Sequence, residues 1–120
     1  MEISVAPSSK DDGVVVVHPV GEVDNRSAPE LEAQLRKLVD QGRSRVVLDL
    51  SDVTYVNSAG IGVVAMSAKL ARAAGGDVAL AGLQGRVRRA FELVGLDRLV
   101  TITDSPQDAC AAIADSPPEK

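Results

Sequence analysis

Apolar and polar positions along the chain change period several times, and each change marks an element. Ile3 and Val5 alternate with polar neighbours, the two-residue period of a short strand. The turn-rich stretch from Pro7 to Gly13 closes on Asp12-Gly13, a hairpin signal, so Val14 to Val20 is expected to return antiparallel to the first strand. Pro19 has no backbone N–H to donate and should sit at a strand end or on an unpaired side. The period then lengthens. Leu31, Leu35 and Leu38 follow at i, i+4, i+7, the buried stripe of a helix ending near Gly42. Ser27-Ala28-Pro29-Glu30 opens it, with Ser27 as cap, Glu30 in capping-box position and Pro29 in the first turn, where a missing N–H does no harm.

Val46-Val47-Leu48-Asp49-Leu50 is apolar but for Asp49, as expected of a parallel strand covered on both faces. A second helix is predicted from about Ala59 to Ala74, where Gly75-Gly76 stops it, and Val78 to Leu80 reads as the next strand. Val87, Ala90, Phe91 and Val94 predict a third helix with those four side chains inward and Gly95 as its stop. Leu99 to Ile102 reads as a last strand, and Ser105-Pro106-Gln107-Asp108 caps a final helix through Ile113. After the hairpin, strands and helices alternate. That order predicts one α/β domain over 1–114, with a mostly parallel sheet of about five strands, about four helices and right-handed crossovers. Residues 115–120 read as a disordered tail.

Composition narrows the function. The chain has 120 residues, enough for one ordinary domain. Hydrophobic residues make up 45% but aromatics only 2%, so the core must be aliphatic. Thirteen basic against seventeen acidic residues leave a charge of -4, and Tyr55 and Phe91 are the only aromatics. Both features argue against a nucleic-acid partner, which needs clustered cations and stacking platforms. The single cysteine, Cys110, cannot form an internal disulfide and suits a reducing cytosol. The start lacks the basic residues and apolar run of a signal peptide, and no stretch approaches the roughly 18 apolar residues of a membrane span. A cytoplasmic protein is expected.

In parallel sheets, ligands gather at loops that follow strand C-termini. Here those loops are Gly21 to Arg26, Ser51 to Ser58 and Ala81 to Gln84. The middle one delivers Ser58 to a helix entrance, where unpaired N–H groups and a dipole end of about +0.5 charge favour anions. Ser58 can cap that helix, and Gly60 and Gly62 would let another backbone come close. A phosphoryl group on Ser58 would add a charge of about -2, tolerated by the helix end but not by a protein docked against it.

The segment Leu48-Asp49-Leu50-Ser51-Asp52-Val53-Thr54-Tyr55-Val56-Asn57-Ser58-Ala59-Gly60-Ile61-Gly62-Val63-Val64 resembles the signature of bacterial anti-sigma factor antagonists, the STAS family. That signature is a strand ending in Asp-Leu, a short loop, then Asp-Ser-Ser/Thr-Gly-Leu-Gly opening a helix. Gly21-Glu22-Val23-Asp24 resembles the family's Gly-Glu-Leu-Asp, and Arg88 to Leu96 its basic-apolar third helix ending in Gly-Leu. The resemblance runs from about residue 13 to residue 113. It implies a STAS-like fold and a non-enzymatic role. In that role the dephosphorylated protein binds an anti-sigma factor that is also a serine protein kinase, and so frees a sigma factor. The kinase phosphorylates the serine matching Ser58, and a PP2C-type phosphatase reverses this. The implied partner-binding set is Asp24, Asn57, Ser58, Ala59, Gly60, Ile61 and Gly62. No cofactor, metal or membrane is implied, and the free protein is expected to be a monomer. The chain departs from the pattern at Asn57, where the family has Asp, and at Ala59, which removes a second hydroxyl; Thr54 and Ser51 are fallback sites.

Other readings carry less. Gly60-Ile61-Gly62-Val63-Val64-Ala65 matches a dinucleotide fingerprint formally, but it trails Leu50 by several residues and no acidic residue closes the next strand. His18 is the sole histidine and lies far from Ser58 in sequence, so neither a catalytic triad nor a zinc site is indicated. Arg86, Arg88 and Arg89 form a basic cluster, either a solvated face or a contact for an acidic partner. A never-phosphorylated STAS scaffold module is the alternative function, and a small-ligand-binding STAS domain a third.

Overall fold

A computed structural model describes residues 1–8 and 13–114. The chain runs β1 (Glu2–Pro7), β2 (Val14–Val23), α1 (Ala28–Asp40), β3 (Arg45–Asp49), β4 (Val53–Val56), α2 (Ser58–Ala73) and β5 (Asp77–Ala81). It continues with α3 (Gly85–Leu93), a 3-10 turn (Leu96–Arg98), β6 (Thr101–Thr103) and α4 (Pro106–Ala114). The sheet order is β1-β2-β3-β5-β6, with β4 pairing β2 off that path. β1 is antiparallel to β2, and every other pair is parallel. Gly13 takes a φ of 78°, while its predicted turn partner Asp12 and the predicted tail 115–120 lie outside the described residues.

Alternation along the strands divides the core in two, because successive side chains point to opposite faces. Val15, Val17, Val46, Leu48, Val78 and Leu80 pack with Leu31, Leu35 and Leu38 of α1, Val64 and Ala68 of α2, and Phe91 of α3. Val14, Val47, Ala79 and Ala81 meet Ala109, Cys110 and Ile113 of α4. The run Val46 to Leu48 therefore feeds both layers, which is why it reads as unbroken apolar sequence. Full burial of each large aliphatic side chain contributes about 1.5–3 kcal/mol.

β2 changes neighbours along its length. Val14 to Val17 pair with β3, and Gly21 to Val23 pair with β4. Pro19 falls in the gap between those two ladders, so the donor it lacks is not missed on that side. A register shift between Gly21 and Glu22 places Thr54 and Tyr55 both outward while Val53 is buried. This bulge aims the end of β4 at the start of α2.

Several expectations need correction. The segment after Leu50 is not all loop, since Val53–Val56 forms β4 and brings the sheet to six strands. Ser27 makes no side-chain capping bond, because its Oγ donates to the Glu22 carbonyl at 2.6 Å and accepts from the Asp24 N–H at 3.0 Å. Glu30 accepts from the Met1 amine at 3.1 Å instead of closing a capping box. Val94 does not join the inner stripe of α3: the helix ends at Leu93, Val94 is 59% exposed, and Leu96 is buried beyond the Gly95 turn. The last strand is Thr101–Thr103, because Leu96–Arg98 is wound as a 3-10 turn that Leu99 terminates.

Candidate functional site

Two strand ends and one helix start converge at a single corner. β2 ends at Val23 and β4 at Val56, side by side in register, and the Asn57 N–H donates to the Val23 carbonyl at 3.2 Å. That bond fixes where α2 begins. Asn57 rather than Ser58 is its cap: the Oδ1 of Asn57 accepts from the N–H groups of Ala59 at 3.0 Å and Gly60 at 3.3 Å. The Asn57 carbonyl takes the Ile61 N–H at 3.0 Å. The expectation that Ser58 caps this helix is thus corrected, because an amide oxygen one residue earlier reaches the same donors.

Ser58 is the first residue of α2 and is exposed. Among the described residues nothing is hydrogen bonded to its hydroxyl. Relieved of capping, the side chain is presented to solvent on a rigid helical turn. Thr54 and Ser51 are also exposed, but the Ser51 hydroxyl donates to Asp49 Oδ1 at 2.8 Å.

The loop after β2 lies against this turn. Asn57 Nδ2 donates to Asn25 Oδ1 at 3.1 Å, a link that sequence reasoning missed. Such a bond joins residues far apart in the chain, and no local pattern announces it. Asp24 Oδ1 accepts from the N–H groups of Arg26 at 2.9 Å and Ser27 at 3.2 Å. Those backbone donors, together with the Ser27 hydroxyl and the nearby Arg26 charge, hold the Asp24 carboxyl below the usual carboxylate range. Asp24 therefore organises its own loop, and its ionised form is the one the loop favours.

The remaining site residues separate by depth. Gly60 is buried, and a Cβ there would lie 2.6 Å from Val56 Cγ2 and 2.8 Å from the Val23 carbonyl oxygen. Its smallness serves the approach of α2 to the two strand ends, not the approach of another backbone from outside. Gly62 is exposed, and a methyl group placed there would meet nothing within 4 Å, while Ala59 and Ile61 are half-buried beside it. His18, considered as a base, places Nε2 2.8 Å from Asp52 Oδ2. Among the described residues no group of three or more His, Cys, Asp or Glu is arranged to hold a metal ion.

The STAS domain family model matches residues 6–109, spanning both strand ends, the Asn57 cap and α2. This chain is a STAS-domain protein. Bordetella bronchiseptica BtrV, provisionally named an anti-sigma factor antagonist, is 39% identical to it over 86% of this chain and 89% of its own. The anti-sigma-B factor antagonist of Bacillus subtilis is 35% identical over 74% of this chain and 81% of its own. A Thermotoga maritima structure, provisionally named an anti-sigma factor antagonist, superposes with a TM-score of 0.85 at 28% identity, covering 92% of this chain and 93% of its own. The STAS domain thus keeps its antiparallel opening strands and parallel remainder as expected. No helix among the described residues is long and apolar enough to cross a membrane.

Proposed function

We propose that this STAS domain is an anti-sigma factor antagonist working in the cytoplasm, whose partner covers the start of α2 and is released when Ser58 is phosphorylated. The observation that carries the reading is an exposed Ser58 hydroxyl with no hydrogen-bond partner among the described residues, on the first residue of a helix whose cap is supplied by Asn57. Asn57, Ala59, Ile61 and Gly62 adjoin it along the start of α2, Asp24 lies in the loop whose Asn25 is bonded to Asn57, and Gly60 supports the turn from beneath. The names of the relatives supply the class of partner, an anti-sigma factor. A serine protein kinase activity in that partner, and a PP2C-type phosphatase acting on this chain, follow from the family resemblance.

The chemistry of the switch is local. The Ala59 and Gly60 N–H groups are already taken by Asn57, so a phosphoryl group on Ser58 stands mainly in solvent. The helix dipole accommodates its charge, and the fold has no reason to rearrange. A partner surface would meet about two negative charges that it cannot solvate. Incubation with the cognate anti-sigma factor kinase and ATP should add one phosphate, located at Ser58 by peptide mass spectrometry and absent in Ser58→Ala. Phosphate found only at Thr54 or Ser51 would move the switch elsewhere.

One observation favours a second reading, a constitutive interaction module. Asn57 stands where the family has a carboxylate, and its Nδ2 is engaged by Asn25. Under that reading the kinase leaves Ser58→Ala and the native chain equally unlabelled, while both bind the partner.

A further inference from the structure

Among the described residues Val20, Tyr55, Leu93, Val94 and Leu99 are the exposed large apolar side chains, and the last three run from the end of α3 to the residue that closes the following 3-10 turn. Leu93 is 77% exposed and Val94 59%, the two highest values of the five. Val94 is the residue whose spacing from Val87 and Phe91 predicts burial, so an inward-type side chain is stranded outside.

Charge distinguishes this patch from an ordinary bare surface. Arg86, Arg89 and Leu93 recur at i, i+3, i+7 and share a stripe of α3. With Gly85, Arg88 and Glu92 they line a shallow groove of about 570 Å³. Arg88 is committed to Glu92 at 3.2 Å and to Asp104 at 3.8 Å. Arg86 and Arg89 have no ion pair among the described residues. On a chain of net charge -4, two guanidiniums without an ion pair among the described residues, beside a bare leucine, form a local reversal of sign. Apolar contact framed by arginines is the composition of a protein interface, where arginine is enriched and the partner supplies the opposite charge.

We propose that Arg86, Arg89, Leu93 and Val94 form a docking surface for an acidic protein segment, one that seats an apolar side chain on Leu93 and Val94 and sets carboxylates against the two arginines. The surface belongs to α3 and does not depend on Ser58 or its phosphorylation.

The test uses the full chain labelled with 15N and a synthetic helical peptide carrying leucines at i, i+4 and i+7 flanked by glutamates. Saturable shifts confined to the amides of Arg86 to Val94 are expected. Affinity should fall by roughly tenfold or more in the double variant Arg86→Glu/Arg89→Glu, and again in Leu93→Ser. All three side chains are exposed, so thermal unfolding of these variants should match wild type; if Leu93→Ser unfolds early, the charge reversals carry the decision. Equal binding of a peptide with lysines in place of glutamates would overturn the proposal. So would unmoved α3 amides at about millimolar peptide. Shifts produced only by inorganic phosphate would reduce the surface to an anion site. Shifts produced only by phosphatidylglycerol vesicles would make it a lipid contact, and shifts that grow with protein concentration alone would assign it to a second copy of this chain.

Discussion

The first turn of α2 and the outer face of α3 cover the same apolar floor yet meet solvent in opposite ways. Val56, Gly60 and Val64 on one side and Val87 and Phe91 on the other line one void of about 10 Å³. Above it, the α2 turn is polar and tightly wired: Asn57 holds two helix N–H groups, the Val23 carbonyl and the Asn25 amide, while the Ser58 hydroxyl has no hydrogen-bond partner among the described residues. The α3 face is sparsely wired: Arg88 pairs with Glu92 and Asp104, while Leu93 and Val94 are bare and Arg86 and Arg89 lack ion pairs among the described residues. A wired turn changes little when one group is modified, which suits a charge switch. A sparsely wired apolar face loses little by being covered, which suits lasting contact. As proposed, the two surfaces would serve release and capture separately.

Substitutions can break this comparison, beginning with the shared floor. Phe91→Ala removes a side chain that is 1% exposed and should cost about 3–5 kcal/mol in urea unfolding, whereas Leu93→Ala two residues on should stay within about 0.5 kcal/mol. Similar losses for both would mean that the outer face is part of the core. Gly60→Ala should lose about 1–2 kcal/mol, because overpacking against Val56 and Val23 exceeds the ~1 kcal/mol that alanine gains in helix propensity. Gly62→Ala, with open space around it, should keep that gain and raise the midpoint. If both alanines stabilise, the α2 turn is looser than its geometry implies.

Asn57→Ala should cost about 0.5–2 kcal/mol through the lost cap, while Asn57→Asp keeps the cap oxygen and leaves stability nearly unchanged. An equal loss in both would show that the Nδ2 bond to Asn25, not the cap, holds the turn. Ser58→Glu should leave the unfolding midpoint almost unmoved and weaken partner binding by roughly tenfold or more in calorimetry. Unchanged affinity would detach Ser58 from the partner surface. The smallest effect is on pH dependence. Asp24 is held below its ordinary range by Arg26 and Ser27, so its stabilising contribution is present above the unfolded carboxylate pKa and disappears as pH falls through the lower folded value. Asp24→Asn should therefore flatten the acid limb of the stability curve, and an unchanged limb would mean the carboxylate contributes nothing there.

Legibility in the sequence followed the range of the interactions concerned. Leu31, Leu35 and Leu38 lie on one stripe because helical spacing is local, and all three are buried as their period requires. The stops at Gly75 and Gly95 were readable for the same reason, and both take positive φ, where a side chain would be strained. β4 was not readable as a strand, although Val53-Thr54-Tyr55-Val56 is rich in β-formers, because four residues behind a polar turn show no period. Of the three serine capping assignments Ser105 holds, its Oγ accepting from the Asp108 N–H at 3.1 Å, and the other two failed where a neighbour intervened. Glu22 and Asp24 engage Ser27, and Asn57 outcompetes Ser58. Hydroxyls find whichever donor or acceptor is nearest, and sequence spacing alone does not order those distances.

By itself the sequence determined the alternation of strand and helix, the aliphatic two-layer core and the placement of Ser58 at a helix start, all consequences of periodicity and chain stiffness over a few residues. Only the tertiary structure decided that Asn57 caps, that Asn25 reaches across to it, that Gly60 is walled in by Val56 and Val23, and that Val94 is left outside. Each of those depends on segments distant in the chain meeting at ångström distances. Hydrogen bonds and van der Waals contact are decided at that scale, which no one-dimensional pattern contains.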